Sequence, residues 1–170
     1  MGYTSNTAGL SFRIAESTTV QESVLDLLMD GAGAAYTELQ VRERLGLPKS
    51  STHRALKDLA DQGLASAESV GRTLLYRIDP DDPLVHHLKI ARAISKARAV
   101  LAPVADAIDL AVLFGSASRG EDTEGSDVDL FVVTSEFDRV LGELARHGWL
   151  QPVVVTPSQH MQLIAEGGTF

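Results

Sequence analysis

Apolar residues near the start of the chain recur three and four positions apart, and this spacing predicts three helices. The first two helices each begin at a capping box, in which a threonine hydroxyl and a Glu or Gln side chain three residues later satisfy free backbone amides. The boxes run from Thr19 to Glu22 and from Thr37 to Gln40. Glycines end both helices near Gly31 and Gly46, and a third helix is predicted from about residue 50 to residue 62.

Strands are predicted on both sides of these helices. A short strand covers residues 11–15, and residues 64–68 and 73–78 form two strands joined by a tight turn at Gly71 and Arg72. The first part of the chain is therefore predicted to consist of helices followed by a hairpin with an arginine at its tip.

The second half of the chain alternates helices and strands. Asp82 is a good cap for a long helix over residues 83–101, and the apolar run from Leu110 to Phe114 predicts a buried strand. A second strand is predicted from residue 125 to residue 133 and a third over residues 153–155. One helix is expected between these two strands, and a last one begins at Pro157.

The two halves differ in charge. The 170 residues carry a net charge of −8, and this average argues against nucleic-acid binding, which usually needs a basic surface. Residues 1–79 hold 8 basic and 10 acidic side chains, whereas residues 80–170 hold 7 and 13. The Pro- and Asp-rich segment 79–83 separates them, because proline disfavours helix in the residue before it. We therefore predict one domain over residues 1–79 and a more acidic one over residues 80–170.

Two absences narrow the class of protein. No apolar run approaches the roughly 18 residues of a membrane helix, and the first ten residues lack the pattern of a signal peptide. We therefore expect a cytoplasmic protein with no membrane contact. The chain has no cysteine, which excludes disulfides, thiol nucleophiles and cysteine-ligated metals.

The first domain resembles a known DNA-binding family. The segments LGLPKSSTHRALKDLADQGL and VGRTLLYRI, in the order of helices and hairpin given above, resemble the winged helix-turn-helix family, especially its bacterial and archaeal regulators. The resemblance covers most of residues 17–79. It implies that the partner is double-stranded DNA. Because such domains commonly bind DNA as homodimers, we expect a homodimer, with the long helix from Pro83 as a candidate interface.

The third helix is locally basic. Because Leu56 and Leu59 turn inward, its polar side chains face outward, where they suit phosphates and base edges in a major groove. An arginine at the tip of the hairpin would meet a neighbouring phosphate. The candidate DNA-binding residues are Lys49, Ser50, Ser51, His53, Arg54, Lys57 and Arg72. The alternative interpretation is an ordinary solvated face, on which His53 is a surface residue without a role.

Two carboxylates and a glycine turn give the second domain its candidate chemistry. Asp127 and Asp129 are two residues apart on a predicted strand, so both can converge on one hard cation or straddle two. Gly115 and Ser116 follow a strand, where free amides and a hydroxyl can hold phosphate oxygens. This combination suits a nucleoside triphosphate bound with Mg²⁺ or Mn²⁺.

The same segment carries a second family resemblance. FGSASRGEDTEGSDVDLFVV looks like the signature of the minimal nucleotidyltransferases, in the superfamily of DNA polymerase beta and the kanamycin nucleotidyltransferases. By topology the resemblance covers about residues 84–166. It implies that Asp127 and Asp129 ligate the metal and take part in catalysis. The residues it assigns to the nucleotide are Gly115, Ser116, Arg119 and Ser126. For Arg119, the alternative is that it stabilises the loop.

One expected carboxylate is missing. Active members of the superfamily usually add a third carboxylate from the following strand, and in WLQPVVVTP we align Gln151 with that position. Glutamine supplies no negative charge and cannot accept a proton as a base. Two carboxylates fit one nucleotide-associated metal better than a two-metal reaction. The acidic residues of the preceding loop, Glu121, Asp122 and Glu124, are expected to be solvated, unless one of them substitutes.

These observations predict an α+β protein, in which a winged helix-turn-helix domain precedes a minimal nucleotidyltransferase α/β domain with a small mixed sheet. Three functions remain open. The first is a transcription regulator whose second domain binds a nucleotide with weakened or absent catalysis. The second is an active nucleotidyltransferase of the toxin–antitoxin type, acting on a protein, RNA or small-molecule hydroxyl. The third is an interaction scaffold, which would leave the Gly-Ser and Asp-x-Asp patterns unexplained.

Overall fold

The computed structural model describes residues 19–167. Its α-helices are Val20–Asp30 (α1), Glu38–Leu45 (α2), Lys49–Asp61 (α3), Pro83–Leu101 (α4), Phe137–Leu144 (α5) and Pro157–Ala165 (α6). Its strands are Tyr36–Thr37 (β1), Ser66–Val70 (β2), Thr73–Arg77 (β3), Ile108–Phe114 (β4), Val128–Thr134 (β5) and Leu150–Val155 (β6). The strand predicted over residues 11–15 lies outside the described residues. No helix within residues 19–167 has the length and apolarity to cross a membrane.

Local capping fixes the starts of the first two helices. The Thr19 and Thr37 hydroxyls accept hydrogen bonds from the amides of Glu22 and Gln40, and both boxes are complete, as predicted. The third helix begins at Lys49 after Pro48, one residue before the predicted start. These three helices pack together and bury Leu28, Leu56 and Leu59, with Tyr76 and Ile78 from the hairpin side closing the core. We call this part, through β3, the helix-turn-helix unit.

The hairpin is present, with its first strand shifted. Strands β2 and β3 pair antiparallel from Ser66 opposite Arg77 to Val70 opposite Thr73, and β1, which was not predicted, pairs with the other edge of β3. The predicted start at residue 64 was wrong. The amides of Leu64 and Ala65 both donate to the Leu59 carbonyl, so these residues complete the end of α3 instead of entering the sheet.

The second half contains a three-stranded mixed sheet, as predicted. Its order is β4-β5-β6, with β5 antiparallel to β4 and parallel to β6. One face of the sheet packs on α4 and α5, where Leu130, Val132 and Leu144 are buried. We call this part, from β4 to α6, the nucleotidyltransferase-like unit.

The prediction of a buried strand over residues 110–114 was wrong. Strand β4 is an edge strand, and Leu110 and Val112 are 40% and 38% exposed. Alternate residues of a strand point to opposite faces, and Val112 lies opposite Phe131 on the face away from the core shared with α4. The apolar run therefore belongs to a partly exposed edge strand of the described structure, not to a strand buried on both sides.

Helix α4 belongs to both cores. Val85 near its start packs with the helix-turn-helix core, whereas Ala93, Ala97 and Val100 pack with the core of the nucleotidyltransferase-like unit. Asp82 caps the helix and Pro83 occupies its first turn, as predicted. One rigid helix thus joins the two units.

Candidate functional sites

The two aspartates lie at the start of the central strand. Asp127 immediately precedes β5 and Asp129 is its second residue, so the pair sits at one end of the sheet. Asp129 lies between Phe114 of β4 and Gln151 of β6 in the strand register. The amide Nε2 of Gln151 donates to Asp127 Oδ2 at 3.1 Å. Gln151 thus stands beside both carboxylates, on the strand where the third carboxylate was expected.

The glycine turn approaches these carboxylates closely. Gly115 directly follows β4 with φ +68°, a left-handed conformation that favours glycine. A Cβ at this position would lie 2.0 Å from Asp129 Oδ2, so no side chain fits between the turn and the carboxylate. The turn of Gly115 and Ser116 and the Asp127–Asp129 pair therefore form one continuous surface, which we call the carboxylate site.

Arg119 binds the loop around it. Its Nη1 donates to the Gly115 carbonyl at 2.9 Å, and its Nε pairs with Glu121 Oε2 at 2.7 Å. The Ser116 carbonyl accepts the amides of both Arg119 and Glu121. In the structure Arg119 holds the loop, which was the alternative role considered from the sequence. Its guanidinium is exposed and lies four residues from the turn, so it remains within reach of a ligand there.

Ser126 faces a different space. Its hydroxyl accepts the amide of Thr123 at 2.9 Å, and it lines a cavity of about 210 Å³ with Arg92, Lys96 and Trp149. The structure therefore groups Ser126 with the boundary between the two units, whereas Gly115 lies against Asp129.

The donor set for a metal is small. Within residues 19–167, no group of three or more His, Cys, Asp or Glu side chains is arranged to hold a metal ion. The three acidic residues of the neighbouring loop form ion pairs away from the aspartates: Glu121 with Arg119, Asp122 with Arg92 and Glu124 with Arg44. Two carboxylates fit a metal that completes its coordination with phosphate oxygens and water, as Mg²⁺ commonly does.

Helix α3 exposes the predicted basic face. Lys49, Ser50, His53, Arg54 and Lys57 are exposed and Ser51 is half-buried. The intervening Thr52 is buried and its hydroxyl donates to the Pro48 carbonyl, which explains the inward position of this one polar residue.

Some of these residues meet across a groove. A cavity of about 380 Å³ between α2, α3 and β3 is lined by Lys49, His53 and Arg72, so the hairpin tip and the start of α3 face the same space. Arg42 of α2 also lines it, and sequence reasoning did not single out this residue. The available signal was its place as a basic residue in the helix that precedes the turn before α3. We call this space the α3–hairpin groove.

Ion pairs divide the basic residues into two groups. His53 Nδ1 lies 3.0 Å from Glu38 Oε2, and Lys57 pairs with Asp61, whose hydrogen bond and charge raise the pKa of the lysine above its ordinary value. Within the described part of the chain, Lys49, Arg54 and Arg72 form no ion pair. These three cations are therefore available to an external anion.

Comparison with protein families confirms both resemblances. Residues 23–69 match the model of the IclR helix-turn-helix domain, and residues 94–158 match that of the nucleotidyltransferase domain. The chain thus combines a helix-turn-helix DNA-binding domain with a nucleotidyltransferase domain.

Curated sequences and solved structures were compared as well. No curated protein sequence gives a significant match. Among solved structures, a proposed nucleotidyltransferase from Sulfolobus solfataricus is similar over 48% of this chain and 83% of its own, with 17% identity and a TM-score of 0.38.

Proposed function

We propose that this protein is a transcription regulator whose helix-turn-helix unit binds double-stranded DNA and whose nucleotidyltransferase-like unit binds a nucleoside triphosphate with weakened or absent catalysis. The observation that supports DNA binding most directly is the α3–hairpin groove, where Lys49 and Arg72 face one space without carboxylate partners. Phosphate contacts of this kind fix a protein on the duplex, while the outward side chains of α3 meet base edges.

The carboxylate site supports nucleotide binding. The close approach of Gly115 to Asp129 leaves backbone groups and a hydroxyl beside two carboxylates, which suits phosphate oxygens on one side and a cation on the other. When bound there with a nucleotide, Mg²⁺ or Mn²⁺ would offset charge on the phosphates, with Asp127 and Asp129 as its protein ligands.

Gln151 supports the weakened catalysis. Its amide occupies one lone pair of Asp127 Oδ2 and offers neither charge nor a proton acceptor. The turn and the two aspartates can bind and orient a triphosphate. Gln151, at the position of the third carboxylate, adds no negative charge to them.

The DNA assignment is tested by a mobility-shift titration of the full chain with DNA from upstream of its own gene. The Arg54→Ala variant is expected to bind this DNA more weakly than the Asp129→Ala variant, because Arg54 faces the duplex and Asp129 lies in the other unit. Equal affinity for unrelated DNA, or equal losses in the two variants, would contradict the proposal.

A second function is favoured by one observation, the retention of the Asp127–Asp129 pair beside the Gly115 turn. In that case the protein is an active nucleotidyltransferase that modifies a protein, RNA or small-molecule hydroxyl. Labelled ATP, CTP, GTP and UTP with Mg²⁺ or Mn²⁺ should then give a nucleotidylated product or pyrophosphate, lost in Asp127→Ala. Absence of turnover with all four nucleotides would exclude this alternative.

We also propose a homodimer through the exposed face of α4. Leu84 and Ile94 on this face are 52% and 43% exposed, and Ala91 between them is exposed as well. Leu84, Ala91 and Ile94 are seven and three residues apart, and this spacing places them on one face of the helix. An antiparallel second copy would bring Arg98 of one chain near the acidic start of α4 in the other, at Asp81 and Asp82. This charge complementarity favours a copy of the same chain as the occupant.

A further inference from the structure

One arginine joins the two units of the molecule. Arg92 of α4 contacts Asp26 and Asp30 of α1 and Asp122 of the loop that precedes β5, with N–O distances of 3.3, 2.6 and 3.1 Å. We call these four residues the Arg92 cluster. The arginine side chain is only 13% exposed. Burial alone would lower the pKa of its guanidinium, but the charges and hydrogen bonds of Asp30 and Asp26 outweigh burial and raise that pKa, so Arg92 remains cationic.

Further contacts fasten the same loop to the helix-turn-helix unit. The amide of Glu124 donates to the Asp30 carbonyl at 3.0 Å, and the buried Lys89 donates its ammonium group to the Asp122 carbonyl. Arg44 of α2 lies 3.8 Å from the Glu124 carboxylate. We call this segment the 121–126 loop. Residues of α1, α2 and α4 together hold its middle.

Both ends of the 121–126 loop touch the carboxylate site. It begins at Glu121, whose amide donates to the Ser116 carbonyl and whose carboxylate pairs with Arg119, and it ends immediately before Asp127. The Arg119–Glu121 pair is exposed on both sides, and such pairs contribute little stability. A triphosphate at the Gly115 turn presents oxygens that bind arginine more strongly than one exposed carboxylate does, and it would compete for Arg119.

One carboxylate oxygen of the Arg92 cluster has no hydrogen-bond partner in the described part of the chain. Three carboxylates surround one guanidinium, and Asp122 Oδ1 is buried without a hydrogen-bond partner among residues 19–167. A buried carboxylate oxygen without a partner carries a desolvation cost, which an alternative position of the loop would relieve. The observed position of the loop therefore carries a cost at Asp122 that opposes part of the stabilisation from its other contacts.

We propose that the 121–126 loop transmits nucleotide occupancy to the DNA-binding unit. A triphosphate at the Gly115–Ser116 turn draws Arg119 away from Glu121, the loop shifts, and the Asp122–Arg92 contact loosens. The helix-turn-helix unit then loses part of its fixed orientation, and its affinity for DNA falls. This inference rests on the proposed function, since it requires that the chain bind both a nucleotide and DNA.

The test measures the two affinities of the full chain separately and together. Fluorescence anisotropy follows labelled upstream DNA with and without ATP, CTP, GTP or UTP and Mg²⁺, and calorimetry follows nucleotide binding with and without DNA. We expect one of the nucleotides to weaken DNA binding about fivefold or more, and DNA to weaken binding of that nucleotide by the same factor, because coupling between sites is reciprocal.

The Arg92→Gln variant separates the loop from other routes of coupling. It should bind DNA and nucleotide individually, while the coupling factor falls below about twofold. Arg139→Gln is the matched control: Arg139 also bridges carboxylates, Asp106 and Glu136, but all three lie outside the helix-turn-helix unit, so the wild-type factor should persist.

The outcomes distinguish the two proposals. A wild-type chain that binds no nucleotide or no DNA overturns both. Binding of both ligands with unchanged affinities leaves the proposed function standing and overturns the coupling, as does a coupling factor that persists in Arg92→Gln. Hydrogen exchange of the Glu124 amide in the wild type provides a readout that does not depend on the folding of a variant: nucleotide should accelerate it, and unchanged exchange contradicts the loop movement.

Discussion

The chemistry of the carboxylate site depends on a neutral residue, Gln151. Gln151 donates a hydrogen bond to Asp127, so the neighbour of the two aspartates is a neutral amide. A third negative charge at this position would increase the affinity for a cation. The register of β5 and β6 puts Gln151 directly opposite Asp129. A carboxylate at this single position would therefore adjoin both aspartates.

The Gln151→Asp variant is expected to bind Mn²⁺ about tenfold more tightly than the wild type, because a third carboxylate adds charge and a ligand. Calorimetric or paramagnetic titration of Mn²⁺ measures the change. Gln151→Ala serves as the control, since it removes the amide without adding charge. Equal Mn²⁺ affinity in Gln151→Asp and Gln151→Ala would show that position 151 does not adjoin a metal site.

The Gly115→Ala variant is expected to lose nucleotide binding and about 1 to 2 kcal/mol of unfolding free energy, because its φ is left-handed and its Cβ would meet Asp129. Denaturant unfolding and calorimetry measure the two effects. Gly142→Ala is the matched control: Gly142 lies in α5, where an added Cβ would extend into open space, so the substitution should be neutral or stabilising. Wild-type nucleotide affinity in Gly115→Ala would argue against the turn as the phosphate site.

Spacing along the chain predicted part of this site and not the rest. Asp127 and Asp129 share a face because strand side chains alternate, and the position of Gln151 followed from the family pattern. The partners of Arg119 and Ser126 could not be read in this way. Each side chain has several acceptors or donors within reach, and only the folded loop decides that Arg119 binds Glu121 and that Ser126 faces the Arg92 cavity.

At the scale of elements, α4 contributes to both cores and still leaves an apolar stripe exposed. Val85 and Ala97 lie on opposite halves of the helix and belong to different cores. The domain boundary near residue 80 stays a prediction, because packing continues across it. The exposed stripe at Leu84 and Ile94 is the surface that we assign to a second copy.

The double variant Leu84→Glu/Ile94→Glu is expected to be monomeric, because two charges per chain would face each other across the proposed helix–helix seam. Light scattering coupled to size-exclusion chromatography measures the mass in solution. Met161→Glu is the control, since Met161 is equally apolar and 65% exposed but lies on α6. A wild-type monomer, or a dimer that persists in the double variant, would refute the α4 interface.

Elements with local signals were predicted well. Capping boxes and proline fix the starts of α1, α2, α4 and α6 within a few residues of sequence. The burial of β4 was predicted wrongly because it depends on the place of the strand in the sheet, and the start of β2 because the helix end at Leu59 takes up the next backbone amides. An apolar strand has the same sequence pattern at the edge of a sheet as at its centre. Leu64 and Ala65 donate hydrogen bonds to the end of α3 and so do not enter β2.

At the scale of the whole molecule, the charge of −8 is unevenly distributed. Three cations without an ion pair among residues 19–167 line α3 and the hairpin, whereas seven of the 23 acidic residues lie in the carboxylate site, the 121–126 loop and the Arg92 cluster. The average charge therefore says little about nucleic-acid binding, because DNA meets only the local surface. The same acidic loop that lowers the average also connects the two units.

Nuclease footprinting of the full chain on DNA upstream of its own gene tests the central claim most directly. The account predicts one protected region with two half-sites about 10 base pairs apart, as expected for a dimer that reads successive major grooves, and loss of protection in Arg54→Ala. Protection spread evenly over the fragment, or no protection of the wild-type chain in the absence of nucleotide, would contradict it.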